Sequence, residues 1–194
     1  MTLSAVTSTT DPAPIVDGGV ASSPSFEGLT PEEFKLAFRH HPAGVALITA
    51  DAGDGPVALT ATSVFSVSAE PPLFVFSISD QSSSSQTIIR AATVVVHLLS
   101  AEQLALAKLG AARGVDRFAD ADSWKRLVTG EPYFTAAGTW IRGKVIDRMR
   151  AGGSTVIAAH AVQAHLPDAD GDAGSPLVYH SRTWHALGAH SRLE

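Results

Sequence analysis

The chain has 194 residues, 45% hydrophobic and 17% charged, with 14 basic against 19 acidic side chains and a formal net charge of −5. Average apolar content with a charged fraction below the roughly 25% of a typical domain describes a chain that can bury a core, and one domain is expected. Net acidity without a Lys/Arg run longer than two residues argues against a nucleic-acid partner, and zero cysteines exclude disulfide scaffolds, thiolate metal sites and cysteine nucleophiles.

In chain order, residues 1–28 are rich in Ser, Thr, Ala, Pro and Gly, with Pro12, Pro14 and Pro24 breaking any period. This segment reads as a disordered tail. It has neither the basic n-region nor the apolar h-region of a secretory signal, and no stretch approaches the roughly 18 apolar residues of a membrane span. A soluble cytoplasmic protein with no membrane partner is expected. The single domain is placed at 29–190, with 191–194 as a C-terminal tail.

Thr30-Pro31-Glu32-Glu33 is a helix start: Thr30 caps, Pro31 takes the first helical position where a missing N–H costs nothing, and Glu33 reaches back. Phe34 and Phe38 should share one helix face. From Gly44 the period changes to two, with strands at 44–49 and 57–60 joined by the turn 51–56. Residues 63–69 and 73–79 alternate, with Phe74, Phe76 and Ile78 on one face, interrupted by Pro71-Pro72.

The polar run Gln81-Ser82-Ser83-Ser84-Ser85-Gln86 leads into a short helix at 87–90, followed by a buried-type strand at 94–99. A further helix starts at Ser100 and carries Leu104, Leu106, Ala107 and Leu109. The stretch 110–138 shows no single period and is anchored by Trp124, Tyr133 and Phe134. Strands are expected at 139–147, 154–164, 177–180 and 183–187. About eight short strands with two or three helices suggest a mainly β, closed or nearly closed barrel with helical insertions (α+β).

Hydrolase elbows, phosphate loops, dinucleotide fingerprints and H-E-x-x-H motifs are all missing. The eight histidines do not read as a metal site: His40 and His41 point roughly 100° apart on a helix, and His180, His185 and His190 alternate faces. Asp168-Ala169-Asp170-Gly171-Asp172 resembles a calcium loop, but Ala173 and Tyr179 replace the Gly and Glu such a loop needs, so a hairpin turn is expected. Two clusters suit a ligand. The serine hydroxyls precede a helix and can bind an anion without Lys or Arg. The small, hydroxyl-rich Thr60-Ala61-Thr62-Ser63 allows a planar ring close to the backbone, although it is also ordinary strand sequence.

The order of Arg39-His40-His41-Pro42-Ala43-Gly44, Leu59-Thr60-Ala61-Thr62-Ser63-Val64-Phe65-Ser66-Val67-Ser68-Ala69-Glu70-Pro71-Pro72, the serine run, Val95-Val96-His97, Asp116-Arg117-Phe118 and Pro176-Leu177-Val178-Tyr179-His180-Ser181-Arg182 resembles the flavin reductase family. These proteins are the reductase components of two-component flavin-dependent monooxygenases. The resemblance covers roughly residues 30–188. It implies a split β-barrel, a homodimer, FMN or FAD as cofactor, NADH or NADPH as electron donor, and a monooxygenase component as functional partner.

By the same resemblance, Thr60, Ala61, Thr62 and Ser63 contact the flavin ring and its chain, and Ser83, Ser84 and Ser85 surround its phosphate. His97 replaces a usual Asn, and Arg117 and Phe118 lie beside the flavin. The Gly-Asp-His associated with nicotinamide docking is Gly152-Gly153-Ser154 here, so Ser154 stands at the family's His position. Hydride transfer between two cofactors needs orientation more than an acid–base residue, so the loss bears on donor affinity. Two other readings remain: a flavin- or deazaflavin-dependent reductase of another substrate, and a non-enzymatic flavin- or haem-binding barrel.

Overall fold

The Thr30-Pro31-Glu32-Glu33 signal folds as read. Helix α1 (Pro31–Arg39) begins with Glu33 N–H donating to Thr30 Oγ1 at 3.3 Å and Thr30 N–H donating to Glu33 Oε2 at 2.9 Å. The Phe34 and Phe38 rings lie 4.8 Å apart on one face, and no residue of α1 is buried. The structure, a computed structural model, describes residues 28–167 and 174–193. The expectations for residues 1–27, for the turn at 168–172 and for Glu194 fall outside the described residues.

The chain then runs through β1 (Ala43–Gly44), β2 (Ala46–Asp51), β3 (Pro56–Ala61), β4 (Phe65–Ala69) and β5 (Pro72–Ser79). Helix α2 (Ser85–Arg90), β6 (Thr93–Leu98), a 3-10 turn (Ala101–Gln103) and helix α3 (Leu104–Ala111) follow. The rest comprises β7 (Trp124–Arg126), β8 (Pro132–Phe134), β9 (Thr139–Ala151), β10 (Ser154–His165), β11 (Leu177–His180) and β12 (Thr183–Ala186). The described residues thus hold twelve strands rather than about eight. Two of these, β9 and β10, are long, and β7–β8 form a small hairpin inside the stretch that carried no period.

Seven strands make one antiparallel sheet in the order β3-β2-β6-β9-β10-β5-β4, beside a three-stranded sheet β1-β11-β12. The large sheet curls around Ile48, Phe76, Val94, Val96 and Ile157, each at most 1% exposed, and Ile88 of α2 joins this core. β9 carries Gly143 where the Phe74 ring crosses it, and a Cβ there would overlap the ring. A second core of Leu47, Ala107, Phe134 and Leu177 covers the outer face of β2. Burial on both faces explains why Ala46, Leu47 and Ile48 follow one another with no polar residue between them.

The architecture is a split barrel, mainly β with helical insertions. Among the described residues, β3 and β4 remain edge strands. Across the split, the Ser63 hydroxyl donates to Ser77 O at 2.8 Å and accepts from Ser77 N–H at 3.1 Å, tying the end of β3 to β5.

Candidate functional site

A cleft of about 710 Å³ opens at the split, between the end of β3, the end of β5, the 79–83 turn and the C-terminal end of α3. It gathers Thr60, Ala61, Thr62, Ser63, Ser83 and Arg117, residues spread over 58 positions of sequence. A volume in this range suits a small-molecule ligand, and mixed small hydroxyl and backbone groups suit a planar polar ring.

The hydroxyls are not equivalent. Thr60 Oγ1 donates to Ala107 O at 2.7 Å, and Ser63 is engaged with Ser77 in both directions. These two side chains hold the walls together. Thr62, Ser82 and Ser83 have no hydrogen-bond partner for their hydroxyls among the described residues and line the same cleft, so they can turn to a ligand.

The two arginines divide similarly. Arg117 Nε donates to Gly110 O at 3.2 Å and its Nη2 to Ala112 O at 2.5 Å, which satisfies carbonyls left open at the end of α3. Arg113, also in the lining, makes no hydrogen bond or ion pair among the described residues. The lining contains no Asp or Glu, so a chain with net negative charge keeps a locally positive cleft. Sequence reasoning missed Arg113, and it named Ser82 only as a member of the serine run. The signal for Arg113 was its place four residues before Arg117, just beyond a helix end.

Ser84, Ser85, His97, Phe118 and Ser154 lie outside the lining. Ser84 and Ser85 are buried, donating to Ala58 O at 2.8 Å and Ser79 O at 2.5 Å, and they fix the turn that presents Ser82 and Ser83. Phe118 packs between Phe134 and Trp124, with ring centroids at 5.2 Å and 5.0 Å. Ser154 pairs across the sheet with Ser79, whose own residue does line the cleft.

His97 is fully enclosed on β6. Its Nδ1 lies 3.0 Å from Leu47 O and its Nε2 accepts Phe134 N–H at 3.1 Å, so the neutral ring with the proton on Nδ1 satisfies both partners. Burial pushes its pKa down to about 4, against the hydrogen bond to Leu47, which acts in the opposite direction. The imidazole therefore joins β6, β2 and β8 behind the cleft. Tyr179 is half-buried, 4.7 Å from Trp184 between ring centroids. Among the described residues no group of three or more His, Asp or Glu is placed to hold a metal ion, and no helix is long and apolar enough to cross a membrane.

A family model described as the flavin reductase like domain matches residues 38–188. A protein of Rhodococcus qingshengii named NADH:FMN oxidoreductase is 40% identical over 162 residues, covering 83% of this chain and 84% of its own length. The crystal structure of a flavin reductase domain protein from Arthrobacter sp. FB24 superposes with a TM-score of 0.75 at 33% identity, covering 82% of this chain and 96% of that one. The flavin reductase component of a bacterial two-component tryptophan halogenase has a TM-score of 0.71 at 26% identity, over 81% and 98% of the two chains.

Proposed function

The chain belongs to the flavin reductase-like family, and from that premise we propose that it is an NADH-dependent reductase of FMN whose reduced flavin serves a partner monooxygenase. The observation that carries the reading is the cleft itself: a wall of small residues at Ala61 and Thr62 faces unpartnered hydroxyls at Ser82 and Ser83 and an unpaired cation at Arg113. A planar ring fits against the first, and a phosphate fits the second. The 40%-identical relative, named for NADH and FMN, supports this choice of donor and flavin.

When bound, the flavin supplies a two-electron acceptor for hydride from the nicotinamide. The chain's own residues bind and orient. Ala61 and Thr62 admit the ring edge close to the backbone, and the Thr62 hydroxyl offers it a hydrogen bond. Ser82, Ser83 and Arg113 hold the phosphate. Thr60, Ser63 and Arg117 keep the surrounding walls in register. Orientation of two reactants is the main contribution asked of the protein, so an ionisable group in the cleft is not required for the transfer.

The active form in this reading is a homodimer in the cytoplasm, where a nicotinamide donor is available. Phe65 and Val67, both more than half exposed on the edge strand β4, support a second copy as the cover for that strand. Light scattering at micromolar concentration checks the dimer, and a sharply monomeric protein contradicts it. The activity is tested by nicotinamide oxidation with added FMN: turnover with NADH is expected, and failure with both NADH and NADPH overturns the reading.

A further inference from the structure

A second pocket, of about 320 Å³, opens where α1 meets the β11–β12 turn, and it shares Thr62 with the cleft. Lys35, Arg39, His41 and Arg182 line it, and its lining contains no Asp or Glu. Arg39 and Arg182 have no ion-pair partner among the described residues, and Lys35 has only the exposed Glu32 at 3.8 Å. Like charges converging without a counter-charge repel one another. In a chain of net charge −5 this concentration of cations points to an anion that neutralises it. The C-terminal dipole of α1 accounts for Arg39 alone.

The turn itself is built with strain. Ser181 and Arg182 adopt φ of 48° and 64°, the left-handed region that side-chain-bearing residues seldom occupy. Ser181 N–H donates to Arg39 O at 3.1 Å, and the Ser181 hydroxyl lies 3.1 Å from His40 Nδ1, so the turn and the end of α1 form one unit that sets Arg182 beside Arg39. Phe38, 58% exposed, adds an aromatic face to this pocket and to the neighbouring one along β4 and β5. The anion this arrangement suits carries aromatic groups as well as phosphate.

We infer that the pocket binds the diphosphate bridge of the dinucleotide donor, so that the nicotinamide end reaches the flavin cleft past Thr62. The inference rests on the reductase reading. It supplies donor affinity in a chain that has Ser154 where an imidazole is usual.

The test is steady-state turnover at saturating FMN with Arg39→Gln and Arg182→Asn, the latter because Asn tolerates the left-handed turn. Each variant should raise KM for NADH about tenfold, the scale of one charged hydrogen bond, while kcat and the Kd for FMN stay within about twofold. Arg39→Lys and Arg182→Lys should recover most of the loss. N-benzyl-1,4-dihydronicotinamide, a hydride donor without phosphates, should be oxidised equally by all forms. An unchanged KM for NADH in both neutral variants overturns the inference alone, as does an equal loss with the phosphate-free donor. Weaker binding of FAD but not FMN, with KM for NADH unchanged, also overturns it by giving the pocket to the flavin's adenylate. A wild-type protein that oxidises neither donor in the presence of FMN refutes the reductase reading with it.

Discussion

The Thr60 hydroxyl of β3 donates to the Ala107 carbonyl of α3 at 2.7 Å, strapping one wall of the cleft to the other. Gly110 lies against the same strap. A Cβ at that position would overlap Thr60 Oγ1 and Leu47 Cδ1. Gly110→Ala should therefore push α3 outward, cost about 1–3 kcal/mol in chemical denaturation, and weaken FMN binding in a fluorescence titration. Unchanged stability and affinity would show that α3 does not set the cleft's width.

The two arginines should separate in their effects. Arg117→Ala removes two bonds to the carbonyls at the end of α3 and should cost about 1–3 kcal/mol, weakening FMN and riboflavin alike. Arg113→Ala removes no internal bond. It should leave the melting temperature unchanged and weaken FMN about tenfold while sparing riboflavin, which lacks the phosphate.

His97 gives the fold an acid limit. Its folded pKa, about 4, lies below the ordinary 6.5, so the folded state favours the neutral ring. Its contribution is complete above pH 6.5 and is lost as pH falls from there towards 4, roughly 3 kcal/mol in all. His97→Gln should be less stable at pH 7 but flatter across that window in urea titrations. A wild-type curve equally flat from pH 6.5 to 4 would remove His97 as the cause.

Glu131 and Arg142 form an enclosed pair at 2.7 Å, with side chains 5% and 19% exposed, joining the loop before β8 to β9. Burial works to raise the Glu131 pKa, but hydrogen bonds from Thr129, Thr93, its own backbone and Arg142 outweigh it and hold the carboxyl below its ordinary 4.5. Its stabilisation is thus present above that value and lost as pH falls below it, a lower window than that of His97. Arg142→Ala should cost about 3–5 kcal/mol by stranding the carboxylate, and pairing it with Glu131→Gln should recover part of that loss.

Much of the fold was legible because its signals are local. The capping box at Thr30 and the alternation of Phe74, Phe76 and Ile78 depend only on neighbours in sequence. β9 extends past Asp147 to Ala151 because its far end is exposed on both faces and carries no alternation to read. β7 and β8 are three residues each, too short for a period. In the site, residue type pointed to Thr60 to Ser63 and to the serine run. Which hydroxyls face the cleft depends on long-range partners: Ser84 is claimed by Ala58 and Ser85 by Ser79, while Ser82 and Ser83 are left open. The same holds for His97, whose role follows from the carbonyl and amide that meet it across the sheet.

An anaerobic absorbance titration tests the central claim most directly. The protein is first titrated with FMN, and NADH is then added to the complex without oxygen. Saturable perturbation of the flavin spectrum followed by bleaching of the bound flavin by NADH is the predicted result. An unperturbed flavin spectrum, or bound flavin that stays oxidised with both NADH and NADPH, would contradict the account.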